Sequence, residues 1–73
     1  MLTTYRAQAE RHVAQGKAVI EKQQSLVAEL ERDGHDTAEA RGLLATFLDI
    51  QRLHEEDLAR ITRKLRDLSV SPA

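Results

Sequence analysis

The sequence predicts an all-α protein: an antiparallel hairpin of two long helices that pack like a coiled coil. Along two segments, apolar residues recur at alternating steps of four and three, a spacing that keeps one stripe of each helix facing one partner. A short break containing glycine separates the segments. The composition is typical of long helices, with 32% charged residues, 3% aromatic residues and one proline among 73 residues.

The first helix is predicted over about residues 4–32. Gly16 and Gln23 interrupt its otherwise apolar stripe. A glycine in a helix interior costs ~1 kcal/mol relative to alanine, so Gly16 indicates a close neighbour, which we expect to be the ring of His54 or a neighbouring helix. The full stripe consists of Ala9, Val13, Gly16, Ile20, Gln23, Val27 and Leu30.

The break at residues 33–36 has the chemistry of a tight turn. Gly34 suits the left-handed conformation that ends a helix. We expect Asp36 to be the N-cap of the second helix, with Glu39 completing a capping box by bonding back to the cap amide. A connection this short forces the two helices to run antiparallel, side by side.

The second helix is predicted over about residues 37–68, followed by a frayed tail over 69–73, and the whole chain (1–73) is predicted to be one domain. Gln51 stands where leucine would be more stabilising, as Gln23 does in the first helix, and polar residues at such positions can set the register of a helix pair. The stripe of this helix consists of Ala40, Leu44, Phe47, Gln51, His54, Leu58, Ile61, Leu65 and Leu68.

A second set of apolar residues flanks each stripe. Two helices that touch along one line cannot cover this set, and an exposed apolar band of such length is unusual for a monomer. We therefore expect a non-enzymatic protein-interaction module, a small regulatory or adaptor protein that pairs into a homodimeric four-helix bundle. Association with another helical protein satisfies the same physics and stays open. The candidate interface residues are Val19, Leu26, Leu43, Leu48, Ile50 and Leu53.

A metal- or ligand-binding bundle is the alternative function. His12, His54 and Asp57 could offer two imidazoles and a carboxylate, which are ligands that zinc accepts. The sequence lacks a His-x-x-x-His pair and the Glu-x-x-His spacing of di-iron bundles, since Gln51 precedes His54 by three residues. The first expectation is therefore that the imidazoles are polar layers between the helices, with no metal and no cofactor.

Enzymatic activity is not expected, because the chain has no cysteine nucleophile, no glycine-rich phosphate loop and no serine beside a histidine. Its 11 basic and 12 acidic residues give a formal net charge of −1, which does not favour nucleic-acid binding. Weak binding through a basic cluster remains a further alternative, although cations at the end of a helix also complement its dipole. The cluster consists of Arg60, Arg63, Lys64 and Arg66.

A cytoplasmic location is expected, without membrane association. The apolar runs are too short to span a bilayer, the first residues lack the features of a secretory leader, and the absence of cysteine fits a reducing compartment.

The turn Gly34-His35-Asp36-Thr37 resembles that of a group of small uncharacterised helical-hairpin proteins from alphaproteobacteria. The resemblance extends over about residues 10–58, and it implies a bacterial cytoplasmic protein without bringing an activity. Other positions that are similar to the group's pattern are His12, Gly16, Ile20, Gln23, Leu26, Ala40, Leu43, Leu44, Phe47 and His54.

Overall fold

The computed structural model describes residues 2–69. Over this range the chain forms two helices, α1 (Leu2–Arg32) and α2 (Ala38–Ser69), and no β-strand. The helices pack against each other along their length and run in opposite directions, because residues near the turn contact each other and so do residues far from it. The predicted all-α hairpin is confirmed.

The helix ends differ slightly from the predicted bounds. α1 begins at Leu2 rather than near residue 4, and α2 ends at Ser69. Ser69 was expected to begin the frayed tail, but it belongs to the helix and its hydroxyl donates to the Leu65 carbonyl at 3.0 Å. The rest of the predicted tail, residues 70–73, lies outside the described residues.

α1 ends in a Schellman motif. Gly34 has a φ of 75°, the left-handed conformation expected of a glycine just after a helix. The amide of His35 donates to the Leu30 carbonyl at 2.9 Å, and the amide of Gly34 donates to the Glu31 carbonyl at 3.1 Å. These bonds satisfy carbonyls that the end of the helix would otherwise leave without partners.

α2 begins one residue later than predicted. The Thr37 carbonyl accepts the first helical bond, from Arg41 N at 2.8 Å, so the backbone makes Thr37 the N-cap. Asp36, the predicted N-cap, lies just before it and accepts from Ala38 N at 3.0 Å. Among residues 2–69 the expected bond from Glu39 back to the Asp36 amide does not form, so a single Asp36 bond replaces the capping box.

The hairpin is a thin rod. Its Cα atoms extend over 64 × 14 × 14 Å, with a radius of gyration of 17.2 Å, whereas a compact chain of this length has about 11 Å. The accessible surface is 5718 Å², compared with about 4,500 Å² for a compact monomer of this mass. The rod therefore exposes about 1,200 Å² more than a compact monomer of the same mass.

The interior between the helices is small and partly polar. Only Ala9, Val27, Gln23 and Gln51 are buried among the described residues, with 5–8% of their surface exposed. None of the large apolar side chains of residues 2–69 is fully buried. The most protected positions of the hairpin thus include two glutamines rather than a leucine core.

Candidate functional site

Two glutamines join the helices across their line of contact, the seam. Gln23 Nε2 of α1 donates to the Ala40 carbonyl of α2 at 2.9 Å, and Gln51 Nε2 of α2 donates to the Val13 carbonyl of α1 at 2.9 Å. Each of these amide bridges ties a side chain of one helix to the backbone of the other. Because they lie at separate levels of the rod and point in opposite directions, they oppose sliding of the helices in either direction.

Gly16 makes room for one of these bridges. A Cβ atom added at Gly16 would collide with Gln51 Oε1 and lie 2.8 Å from Gln51 Cδ. Gly16 was expected to make room for the His54 ring or for a neighbouring helix. The atoms that require a glycine here belong to the Gln51 amide of the neighbouring helix, α2.

One side of the hairpin carries a row of exposed aliphatic side chains. Val19 and Leu26 repeat at a spacing of seven on α1, and Leu43 and Ile50 do so on α2, so each pair occupies one stripe of its helix. All four are 41–47% exposed. Val19 and Ile50 line one shallow groove between the helices, and Leu26 and Leu43 line a second groove nearer the turn. We call these four residues the apolar face.

Leu48 and Leu53, the other two candidate interface residues, lie apart from this face. They are 47% and 62% exposed and line neither groove. The residues seven positions before and after them are polar or charged, which marks both stripes as facing solvent. These residues are Arg41 and Glu55 for Leu48, and Thr46 and Arg60 for Leu53.

A histidine pair extends the apolar face toward the open end of the hairpin. His12 lies seven residues before Val19, and its ring centroid is 5.3 Å from that of His54, with the rings tilted by 33°. Both rings line the groove that contains Val19 and Ile50. His12 is exposed and His54 is half-buried. The structure thus brings together two of the three predicted metal-ligand candidates.

The third candidate, Asp57, is engaged elsewhere. It is half-buried, and its carboxylate forms an ion pair with Arg60 one turn along the same helix. Asp57 and His12 both line a third groove, at the open end of the hairpin. Within residues 2–69, no three histidine, aspartate or glutamate side chains converge as the ligands of one metal ion would.

The basic cluster at the end of α2 is partly neutralised. Arg60 pairs with Asp57, while Arg63, Lys64 and Arg66 are exposed. None of the four belongs to the apolar face. Nucleic-acid binding through this cluster stays a prediction.

The opposite side of the hairpin is charged. Glu31 of α1 and Arg41 of α2 form an ion pair across the helices near the turn, with both side chains about half exposed. Further along, Lys17 and Glu55 are exposed at the corresponding stripes. This charged side is suited to remain in water.

Neither helix has a stretch long and apolar enough to cross a membrane within the described range. Comparison of the chain with protein-family models, with curated proteins and with solved structures finds no match. The resemblance carried by Gly34-His35-Asp36-Thr37 stays a prediction.

Proposed function

We propose that this chain is a non-enzymatic dimerisation module: the apolar face packs against the same face of a second copy and forms a four-helix bundle. A small cytoplasmic regulatory or adaptor protein is the role that fits such a module. One observation carries the proposal. The two helices leave Val19, Leu26, Leu43 and Ile50 41–47% exposed on one side while burying no large apolar side chain completely.

Burial of this face supplies a driving force for association. Full burial of a valine, leucine or isoleucine side chain stabilises by roughly 1.5–3 kcal/mol, and about half of that remains to be gained at each half-exposed position. A two-fold dimer buries the four residues of each copy together. Their summed contribution, about 6–12 kcal/mol for eight side chains, is comparable with the roughly 4–15 kcal/mol of translational and rotational freedom lost on association.

The available surface also fits a dimer. A standard interface takes about 800 Å² from each partner, and the rod exposes about 1,200 Å² more than a compact monomer of the same mass. An interface along the apolar face would remove most of this surplus. The charged side, with the Glu31–Arg41 ion pair, would then face outward.

A second copy of the chain is the partner that we favour, because the apolar face is complementary to itself. A row of aliphatic side chains is complementary to itself, because it contains no charge that would repel its own copy at Val19, Leu26, Leu43 or Ile50. Two-fold homodimers are also the commonest assemblies of soluble proteins.

Sedimentation of the tag-free chain tests the proposal. At micromolar concentration the mass should be twice 8.2 kDa, and the thermal midpoint should rise with protein concentration, as mass action requires. A folded monomer of 8.2 kDa throughout the micromolar range would overturn the homodimer.

A matched pair of variants locates the interface. Val19→Lys places a charge on the apolar face and should weaken the dimer at least about tenfold. Gln24→Lys adds the same charge at an exposed position on the other side of α1 and should leave the dimer unchanged. Equal effects of the two substitutions would contradict an interface on the apolar face.

A further inference from the structure

We propose that His12 and His54 form half of a site for a divalent transition-metal ion of the zinc class, and that the same two imidazoles of the second copy complete it. The inference rests on the proposed homodimer, because one chain brings only two such ligands together. It adds a ligand and a means of regulation to the same face.

The separation of the two rings suits a shared ion. Zinc binds an imidazole nitrogen at about 2.0–2.1 Å, which places the centre of each ring about 3 Å from the metal. At a tetrahedral angle, two bound rings then have their centres about 5 Å apart. The observed separation of 5.3 Å matches this spacing. His12 and His54 belong to different helices, whose register the amide bridges hold.

The buried side of His54 favours one nitrogen as the ligand. Two side-chain atoms of the described residues are buried without a hydrogen-bond partner: His54 Nδ1 and Gln51 Oε1. They stand three residues apart on α2, where side chains are neighbours, and they do not bond to each other in the structure. A rotation of either side chain would let a proton on Nδ1 donate to the amide oxygen. That tautomer leaves the lone pair on Nε2 of His54, and a histidine that binds metal through one nitrogen typically donates through the other.

The position of the pair along the rod brings the two copies together. His54 lies at the middle of α2 and His12 five residues before the middle of α1, and they line the same groove as Val19 and Ile50 of the apolar face. A two-fold axis that runs along the rods places this level of one copy against the same level of the other. In that arrangement the four imidazoles lie at one level of the bundle.

The ligand type indicates the class of metal. Imidazole suits zinc, copper and nickel, whereas magnesium and calcium prefer oxygen ligands. Asp57, the carboxylate considered as a ligand together with the two histidines, is paired with Arg60. The site is therefore expected to select a transition metal over magnesium or calcium.

Titration of the tag-free full chain with ZnCl2 tests the inference. Calorimetry should give one zinc ion for two chains. Sedimentation should show that zinc lowers the dissociation constant of the dimer about tenfold or more relative to EDTA, because a ligand that binds only the dimer stabilises it by mass action. Cobalt(II) in place of zinc should produce the visible absorption of a tetrahedral nitrogen site, and magnesium should have no effect.

The three histidines of the chain provide matched variants. His54→Ala and His12→Gln should abolish the effect of zinc, while His35→Ala, in the exposed turn, should retain it. Since His12 is exposed, the His12→Gln variant is expected to keep its helical circular dichroism even if His54→Ala does not fold.

The outcomes separate the two proposals. Three results would overturn the metal site and leave the dimerisation proposal intact. In the first, zinc does not change the dissociation constant of the dimer; in the second, each chain binds one zinc ion. In the third, zinc strengthens the His12→Gln dimer as much as the native dimer. A chain that stays monomeric in EDTA and in zinc overturns both. A monomer in EDTA that zinc converts to a dimer with one ion for two chains supports the metal site and shows that the apolar face alone is insufficient.

Discussion

Two glutamines of the seam and two aliphatic residues of the apolar face reverse the usual distribution of polar and apolar side chains. Gln23 and Gln51, on the seam, are 8% and 6% exposed, whereas Val19 and Ile50, beside it, are 41% and 44% exposed. In a protein that functions alone, the aliphatic side chains would occupy the protected positions. Here two glutamines are among the most protected residues of a seam whose other members are mostly apolar and half-buried.

This difference assigns separate tasks to the two regions. An amide on a seam stabilises less than a leucine would, but its hydrogen bond is satisfied in only one register. An aliphatic face stabilises a complex with any partner that covers it, but it does not by itself determine which partner binds or in which register. The seam therefore defines the shape of the hairpin, and in the proposed dimer the face would supply the free energy for association.

The strongest test removes the apolar face in part. Replacing Leu26 and Leu43 together by glutamine should raise the dissociation constant of the dimer at least about a hundredfold, since each of the four leucines in the dimer gains about half of the roughly 1.5–3 kcal/mol of full burial. The thermal midpoint should also lose its dependence on protein concentration. The matched control replaces Leu48 and Leu53 by glutamine, which makes the same chemical change outside the face. If the control weakens the dimer as much as the test does, the face is wrongly placed.

A second test probes the contact of Gly16 with Gln51. In the native chain, Gly16→Ala should destabilise by about 1 kcal/mol, because displacing the Gln51 amide costs more than the gain in helix propensity. In a Gln51→Ala background the same substitution should stabilise by about 1 kcal/mol, since only the gain in propensity remains. Urea unfolding of the four proteins at one concentration measures both values. The same sign in both backgrounds would show that the two residues are not coupled.

The smallest expected effect concerns one amide bridge. Gln23→Ala removes the bond to the Ala40 carbonyl and should lower the free energy of unfolding by about 1 kcal/mol. Gln24, the next residue, is exposed. Gln24→Ala should therefore change the free energy of unfolding by less than about 0.5 kcal/mol. Indistinguishable variants would mean that the bridge contributes nothing measurable to the subunit.

The helices and the turn could be predicted because their causes are local. The four-three spacing determines which stripe of each helix faces its partner, and Gly34 provides a conformation that other residues adopt only at a cost. The exposure of Val19 and Leu26 could also be anticipated, because a helix can shield only one stripe of its neighbour.

The contacts inside the seam could not be predicted in the same way. The glycine at position 16 predicted a close neighbour, the His54 ring or another helix, but it did not identify Gln51, because a glutamine side chain reaches along the helix axis as well as across it. Gln51 thereby reaches the Val13 carbonyl and occupies the space beside Gly16. The N-cap of α2 is Thr37 rather than the predicted Asp36. Asp36 accepts a hydrogen bond from the Ala38 amide from outside the helix, and the residue types alone do not distinguish this arrangement from a true N-cap.

The single turn also determines how the chain can fold. The Gln23–Ala40 bridge closes a segment of 17 residues and the Gln51–Val13 bridge one of 38 residues, and each doubling of a closed loop costs roughly 0.6 kcal/mol more in chain entropy. Within one chain, α1 packs only against α2 among the described residues. Once the inner bridge, Gln23–Ala40, has formed, the loop that the outer bridge, Gln51–Val13, must close is therefore shorter. Folding is therefore expected to proceed as a zipper, from Gly34 toward the two chain ends.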